Sequence, residues 1–245
     1  AYEADEIDGM MTDMVVQTLI NKNDDEAHLK VVAHALGSNA TEGRFLVVAG
    51  PDSDIYEPQD LEGRTIGISE NTMMQYLVEC YLKELNVDRS TVTFVNVPNL
   101  SLRLDSVIEG SDIDAAILPD PLAMEAEARG CHVVIDDTQL TGNYSQSVIA
   151  LKDRLMEEDP EAVANFLAAY NEAIEKLNSH PEDYEALFRE KVAVSEALLE
   201  QYQIPSFTPD SVPEPAEVEG VLSWMRKNEL IIEDYDYEEV VYVGK

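Results

Sequence analysis

VNVPNLSLRLDSVIEGSDIDAAILPDPLAMEAEARGCHVVID, from Val95 to Asp136, is the stretch from which the fold is read. Short apolar runs (Val92–Val97, Ala115–Leu118, His132–Ile135) alternate with helical stretches, and the runs lack strict alternation, as strands buried on both faces do. The helix over Pro121–Arg129 is bracketed on both sides. Asp120 stands at the N-cap position, Pro121 at the first helical residue and Gly130 just past the end. A further helix follows Asn99 and carries Arg103, whose offset into the helix predicts a salt bridge to Asp105 or another nearby acid.

The same grammar extends outward. Gly9–Met11, Leu29–Ala35, Arg44–Ala49, Thr65–Ile68 and Ser147–Leu151 read as further short strands, expected to run parallel. Thr72–Leu85 reads as a helix, with Thr72 and Gln75 spaced as a capping box. Beyond residue 150 helices dominate: one opens at Asp159-Pro160-Glu161, one at His180-Pro181-Glu182, and Pro215–Lys227 keeps Val218, Val221, Leu222 and Met225 on one face. EIDGMMTDMVV (Glu6–Val16) and DIDAAILPDPL (Asp112–Leu122) share one plan of Ile-Asp, apolar strand, turn and helix, which fits either a repeated lobe or two similar βα units. Gly50–Gly63, rich in Pro, Asp and Gly, has the composition of a crossover. The expected division is residues 1–60 with 145–245 as one lobe and 61–144 as the other, with hinges at Gly50–Gly63 and Asp136–Ser147 built on Gly50, Pro51, Gly142 and Asn143.

Composition removes several functions. Fifty Asp and Glu against 16 Lys and Arg leave a formal net charge of −34 over 245 residues, a field that repels nucleic acid and anionic membranes. No run approaches the roughly 20 apolar residues of a membrane helix. Two cysteines, Cys80 and Cys131, cannot build a disulfide scaffold, and four scattered histidines add no metal-binding spacing, so no metal and no cofactor are expected. Cys131-His132 sits at a strand start, a poor place for a nucleophile and its base.

DLEGRTIGIS (Asp60–Ser69), TMMQYLVECYLKEL (Thr72–Leu85), the opening stretch and DPEAVANFLAAYNEAIEKL (Asp159–Leu177) together resemble the solute-binding proteins of ABC importers in the nitrate, sulfonate and thiamine-pyrimidine-precursor group. The resemblance implies a two-lobed α/β chain of the type 2 periplasmic binding fold with a helical C-terminal region. Such proteins act outside the cytoplasm, in the periplasm or lipid-anchored on the outer face of the membrane, and deliver a small organic molecule to a membrane permease without catalysing a reaction. Enzymes and ligand-sensing domains share the fold and stand as the alternative. Members of the group usually carry a strand-helix-strand-helix segment ahead of the part matched by Glu6–Val16. The first lobe is therefore expected to be N-terminally incomplete, either cropped from a longer precursor or completed by a second chain.

In that fold, ligand is expected between the lobes, at the carboxyl ends of strands and the N-termini of helices. The matching positions are Met11, Thr12 and Asp13, then Gly37, Ser38 and Asn39, on the first lobe. On the second they are Ser69, Glu70, Asn71 and Thr72, then Asn99 and Ser101, and finally Asp120. Thr12, Asp13, Thr72 and Asp120 also suit helix capping, a role compatible with ligand contact at a cleft. Arg44 and Arg64 flank strands and read as solvated. With two Asp and few basic residues among these positions, the expected ligand is neutral or cationic, a heteroaromatic amine for example, with Tyr144 as aromatic partner and Tyr76 in the core.

Overall fold

The computed structural model describes residues 2, 6–23, 28–39, 42–192, 196–199 and 202–244. Its strands are β1 (Gly9–Thr12), β2 (Leu29–Leu36), β3 (Phe45–Ala49), β4 (Thr65–Ile68), β5 (Thr93–Asn96), β6 (Ala115–Pro119), β7 (His132–Asp136) and β8 (Ser147–Lys152). The α-helices are α1 (Met14–Asn23), α2 (Met73–Glu84), α3 (Leu100–Glu109), α4 (Leu122–Ala128), α5 (Asp153–Glu158), α6 (Pro160–Ser179), α7 (Glu185–Lys191), α8 (Glu196–Leu199), α9 (Pro215–Lys227) and α10 (Tyr237–Val240). All eight strands read from apolar runs are present, with ends shifted by at most one residue.

The chain divides into two units: Ala1–Glu42, Gln146–Tyr184 and Ser206–Lys245 form the first, and Gly43–Ser145 with Glu185–Pro205 the second. This differs from the expected crossover at Gly50–Gly63. Strand β3 pairs antiparallel with both β6 and β7, and those ladders place it, with everything after Glu42, inside the second unit. The return falls at Ser145–Gln146, within the expected second crossover, while Glu185–Pro205 goes back to the second unit.

The second unit carries a five-stranded sheet of order β5-β4-β6-β3-β7. Strands β4, β5 and β6 are parallel, and β3 runs against β6 and β7, a correction to the all-parallel expectation. Leu46, Val48, Ala116 and Leu118 are fully buried on the face covered by Leu104 and Val107 of α3 and Ala123 and Ala126 of α4. Side chains this buried contribute roughly 1.5–3 kcal/mol each for the larger aliphatics. The first unit carries a three-stranded sheet of order β1-β8-β2, with β8 antiparallel to both neighbours. Among the described residues β1 pairs with β8 alone. Each half of the Ile-Asp echo becomes a strand followed by a helix: β1, at a sheet edge beside antiparallel β8, and β6, between antiparallel β3 and parallel β4. In α1, Gln17 and Asn21 are buried and donate side-chain hydrogen bonds to the Leu29 carbonyl at 2.7 and 2.9 Å, and Asn21 accepts from the Leu29 amide at 2.8 Å, fixing where β2 starts. Helix α9 spans the residues expected of it and buries its Val218, Val221, Leu222, Trp224 and Met225 face. Among the described residues no helix is long and apolar enough to cross a membrane.

Candidate functional site

Strands β4, β5, β6 and β7 all run one way, so the second unit has a single carboxyl edge at which the segments after them converge. Ser69–Thr72 follows β4, Asn99 follows β5, Asp120 follows β6, and Arg44 reaches the same edge because β3 starts there. Thr72 caps α2, accepting from the Met74 amide at 3.2 Å while donating to the Ser69 carbonyl at 2.7 Å. Asn71 sits at φ 58, a left-handed conformation that Asn tolerates, and its amide donates to Gln75 Oε1 at 2.8 Å. The Gln75 side chain thus serves Asn71 rather than the Thr72 amide of the expected capping box. Asn99 caps α3 by accepting from the Leu102 amide at 2.9 Å, and Leu102 is left 57% exposed beside it.

Asp120 does not cap α4, whose N-cap is Pro121 without a side-chain bond. Its carboxylate is held by Arg44 through two bonds, Nε to Oδ2 at 3.0 Å and Nη2 to Oδ1 at 3.1 Å, and Arg44 also meets Glu127 at 2.8 Å. The two-pronged fit of guanidinium to carboxylate outcompetes a lone capping bond. Arg44 is therefore not a solvated flank, and Arg64 pairs with Asp54 at 2.7 Å. Arg44, Asp120, Met124, Glu127, Ala128, Leu198, Tyr202 and Gln203 line a pocket of about 470 Å³ in this unit. That volume suits a small organic molecule. Burial pushes the Tyr202 hydroxyl pKa up, with Asp120 adding to the shift, so Tyr202 enters the pocket as a neutral donor.

Arg103 corrects the expected surface salt bridge. It is fully buried, and Asp105 pairs instead with Arg129 at 3.1 Å. The guanidinium is turned inward under the edge, where Nε donates to the Val97 carbonyl at 2.8 Å, Nη1 to the Ile117 carbonyl at 2.9 Å and Nη2 to Ser69 Oγ at 2.5 Å. Its stem passes β4 at Gly67, where a Cβ would lie 3.3 Å from Arg103 Cγ and 2.7 Å from Ile113 Cδ1. Gly67, just before Ile68-Ser69, was the legible sign of a close approach. The Tyr144 hydroxyl donates to Glu84 at 2.8 Å and its ring lies 6.1 Å from that of Tyr81, and Tyr76 lies in the core as expected.

In the first unit, Asp13 caps α1, its Oδ1 accepting from the Val16 amide at 2.9 Å, and burial raises its carboxyl pKa. Met11 precedes it with 72% exposure and Thr12 closes β1. The loop after β2 is organised by Glu42, which sequence reasoning missed. Glu42 is 2% exposed and accepts from the Ser38 amide at 3.0 Å, the Ser38 hydroxyl at 3.0 Å, the Asn39 amide nitrogen at 3.1 Å and the Thr208 hydroxyl. Gly37 makes the turn at φ 85, a region costly for any side chain.

His34, 4% exposed in β2, lies between Ser211, whose carbonyl accepts its amide at 2.7 Å, and Tyr170, whose hydroxyl donates to its carbonyl at 2.9 Å. Burial holds its pKa below the usual 6.5, overcoming the opposite pull of Glu217, Glu42 and Glu214. In the window below 6.5 the unfolded chain binds the proton and the folded one resists, so stability falls as pH drops through that window. A His34→Gln variant is expected to show a flatter stability profile from pH 6.5 to 5, read by urea unfolding at each pH. An unchanged slope would remove His34 from the acid response.

Among the described residues no group of three or more His, Cys, Asp or Glu is placed to hold a metal ion. Cys80 and Cys131 are both free, and burial raises both thiols, Cys80 to about 11. Neither is a thiolate at neutral pH.

The family profile described as NMT1/THI5 like matches residues 15–184. A protein of Brachyspira hyodysenteriae named as an ABC transporter periplasmic binding protein is 27% identical over 155 residues, 58% of this chain and 44% of that protein. The chain thus matches less than half the length of this curated relative. Among solved structures, the periplasmic aliphatic sulphonate binding protein SsuA from Escherichia coli superposes with a TM-score of 0.81 at 16% identity, covering all of this chain and 78% of that one. The desulfurization enzyme DSZB superposes at 0.71 with 17% identity, over 97% of this chain and 84% of that one. At such identities the likeness establishes the fold, the two-lobed α/β type 2 periplasmic binding fold, and leaves chemistry to the site.

Proposed function

Since the chain belongs to the NMT1/THI5-like family, we propose that it is the extracytoplasmic solute-binding component of an ABC importer, capturing a small organic molecule and handing it to a membrane permease. The observation that carries this reading is the carboxyl edge of the second unit, on which Ser69, Asn71, Thr72, Asn99 and Asp120 all fall, together with a pocket of about 470 Å³ lined by the Arg44–Asp120 pair. Their neighbours hold these groups in place, as a binding site requires. In the first unit, Met11, Thr12, Asp13 and the Gly37–Asn39 loop supply further contacts in this reading. An enzyme would need an activated nucleophile or base, and the two thiols are pushed away from that state.

The net charge of −34 favours a neutral or cationic solute at long range. Exposed charges are screened beyond about 10 Å, however, whereas a buried guanidinium one hydrogen bond from Ser69 is not. The long-range field favours a neutral or cationic solute, a heteroaromatic amine for example, while the buried guanidinium favours an anionic group at this one edge.

The test is thermal unfolding of the full chain against a panel of small organic acids, amines, amides and heteroaromatics. A solute at about 100 times its Kd stabilises the folded state by about 2.7 kcal/mol, a midpoint rise of roughly 5 °C or more for a chain of this size. No rise with any compound defeats the solute-binding reading, and conversion of a compound, followed by NMR, replaces it with the enzyme reading.

A further inference from the structure

The pocket of about 470 Å³ in the second unit has a charge balance of its own. Among the described residues that line it, Arg44 is the one cation and Asp120 and Glu127 are the anions. Nε and Nη2 of Arg44 donate to the two oxygens of Asp120 at 3.0 and 3.1 Å, so one carboxylate already neutralises the guanidinium. Glu127 joins through Oε2 alone, 2.8 Å from the same Nη2, and among the described residues nothing donates to its Oε1. The three side chains therefore carry one negative charge in excess. Ser69, which meets the buried Arg103, does not line this pocket, so the charge of Arg103 does not settle what the pocket holds.

The rest of the wall suits the hydrocarbon body of a small organic ion. Met124 and Ala128 of α4 and the buried Leu198 are apolar. Tyr202, whose hydroxyl burial keeps protonated at neutral pH, and Gln203 offer uncharged oxygens as acceptors. The field of the whole chain, at −34, has the same sign as the local excess. Leu198, Tyr202 and Gln203 come from Glu185–Pro205, the segment that enters the second unit after Tyr184 and leaves it before Ser206. A solute here thus touches two parts of the unit that are far apart in sequence, and its arrival is felt at Tyr202.

We propose that this pocket holds the ammonium head of a small organic cation, with Glu127 as the specificity-determining carboxylate and Met124, Ala128 and Leu198 against the apolar body. The head donates to Glu127 Oε1 and to the Tyr202 hydroxyl oxygen. An anionic head would have to approach a guanidinium that two carboxylates already share. The inference rests on the solute-binding reading and adds the chemical class of the group held in this pocket.

The experiment is calorimetric titration of the full chain at neutral pH with two matched sets, one sharing a butyl body (butylamine, butanol, pentanoate) and one a benzyl body (benzylamine, benzyl alcohol, phenylacetate). The amine of a set is expected to bind about tenfold or more tighter than its alcohol, the range of a hydrogen bond to a charged acceptor, with the carboxylate weakest. Amine binding is expected to protect the Tyr202 and Gln203 amides from hydrogen exchange. In Glu127→Gln the amine falls to within about threefold of the alcohol, the range left to exposed charges, while the alcohol keeps its affinity. This substitution alters the whole-chain charge by one unit in 34, so a preference due to the long-range field would survive it. The Glu127 side chain is 38% exposed, so Glu127→Gln leaves the fold intact, and a merely structural role would weaken amine and alcohol alike. A set in which the alcohol or carboxylate is preferred, or an amine preference unchanged in Glu127→Gln, overturns the assignment and leaves the solute-binding reading standing. Absence of binding by every member of both sets also overturns it, and the solute-binding reading then falls only if the thermal unfolding panel finds no solute.

Discussion

Replacing Asp137 by alanine is expected to lower the unfolding free energy by about 3–5 kcal/mol, the largest single-residue loss anticipated in the second unit. Asp137 follows β7, is 5% exposed, and accepts from the Phe45 amide at 2.9 Å and from the Tyr81 hydroxyl at 3.1 Å. Ser145 also bonds to it, and with Tyr81 fully buried and Ser145 buried, truncation orphans donors that water reaches poorly. Hydrogen bonds to a charged group contribute about 1.5–3 kcal/mol each, which sets the estimate. Asp137→Asn keeps an acceptor oxygen and is expected to recover most of the loss. Urea unfolding followed by circular dichroism measures both variants. The single tryptophan, Trp224, lies in the first unit, so its fluorescence shows whether that unit unfolds in the same transition. A loss under 1 kcal/mol in Asp137→Ala would mean that its donors find other partners.

The charge state adds a signed prediction to the same residue. Burial holds the Asp137 carboxyl above its ordinary value of 3.8, outweighing the bonds from Phe45, Ser145 and Tyr81, and Asp136 pushes the same way. The folded protein therefore takes up this proton before the unfolded chain does. Lowering the pH through that window adds stability to the native chain, the reverse of a paired carboxylate. Asp137→Asn has no such group, so its deficit relative to the native chain is expected to widen as the pH falls towards 3.8.

Gly50→Ala is expected to cost about 2–3 kcal/mol, near the top of the range for overpacking, because the obstacle cannot step aside. A Cβ at Gly50 would stand 2.4 Å from the Val107 carbonyl oxygen, which belongs to the backbone of α3. A flexible side chain would yield, but this carbonyl moves only with its helix. The composition of Gly50–Gly63 reads as a hinge, whereas Gly50 lies within the second unit and is small so that β3 and α3 can approach. A shift of the urea midpoint at unchanged slope is the expected observation. A variant as stable as the native chain would show that the helix end gives way freely.

Much of the secondary structure was legible because its causes are local. The apolar runs, the Asp159-Pro160 start, the Pro215 start and the Thr72 cap act over a few residues, and the observed elements follow them closely. Both halves of the Ile-Asp echo become a strand followed by a helix, although β6 also has a parallel neighbour in β4 while β1 lies at a sheet edge beside β8. Where two local rules competed, reading by rule failed. Asp120 before Pro121 satisfies N-cap preference, yet Arg44, 76 residues earlier in the chain, binds it with two hydrogen bonds instead.

Strand direction, unit boundaries and the protonic character of the edge lie beyond local reach. An apolar run buried on both faces looks the same whether its neighbours run with it or against it, so the reversal of β3 and β8 had no local mark. Arg103 shows the same limit in electrostatics. On a helical repeat it is one charge near Asp105, but packing turns it under β4, where the missing side chain of Gly67 makes room and its acceptors among the described residues are carbonyls, a thioether and Ser69. Propensity and periodicity depend on neighbours in sequence, and they placed the helices and strands of this chain. Hydrogen-bond partners and desolvation depend on neighbours in space, and they turned a surface cation into the buried charge of the candidate site.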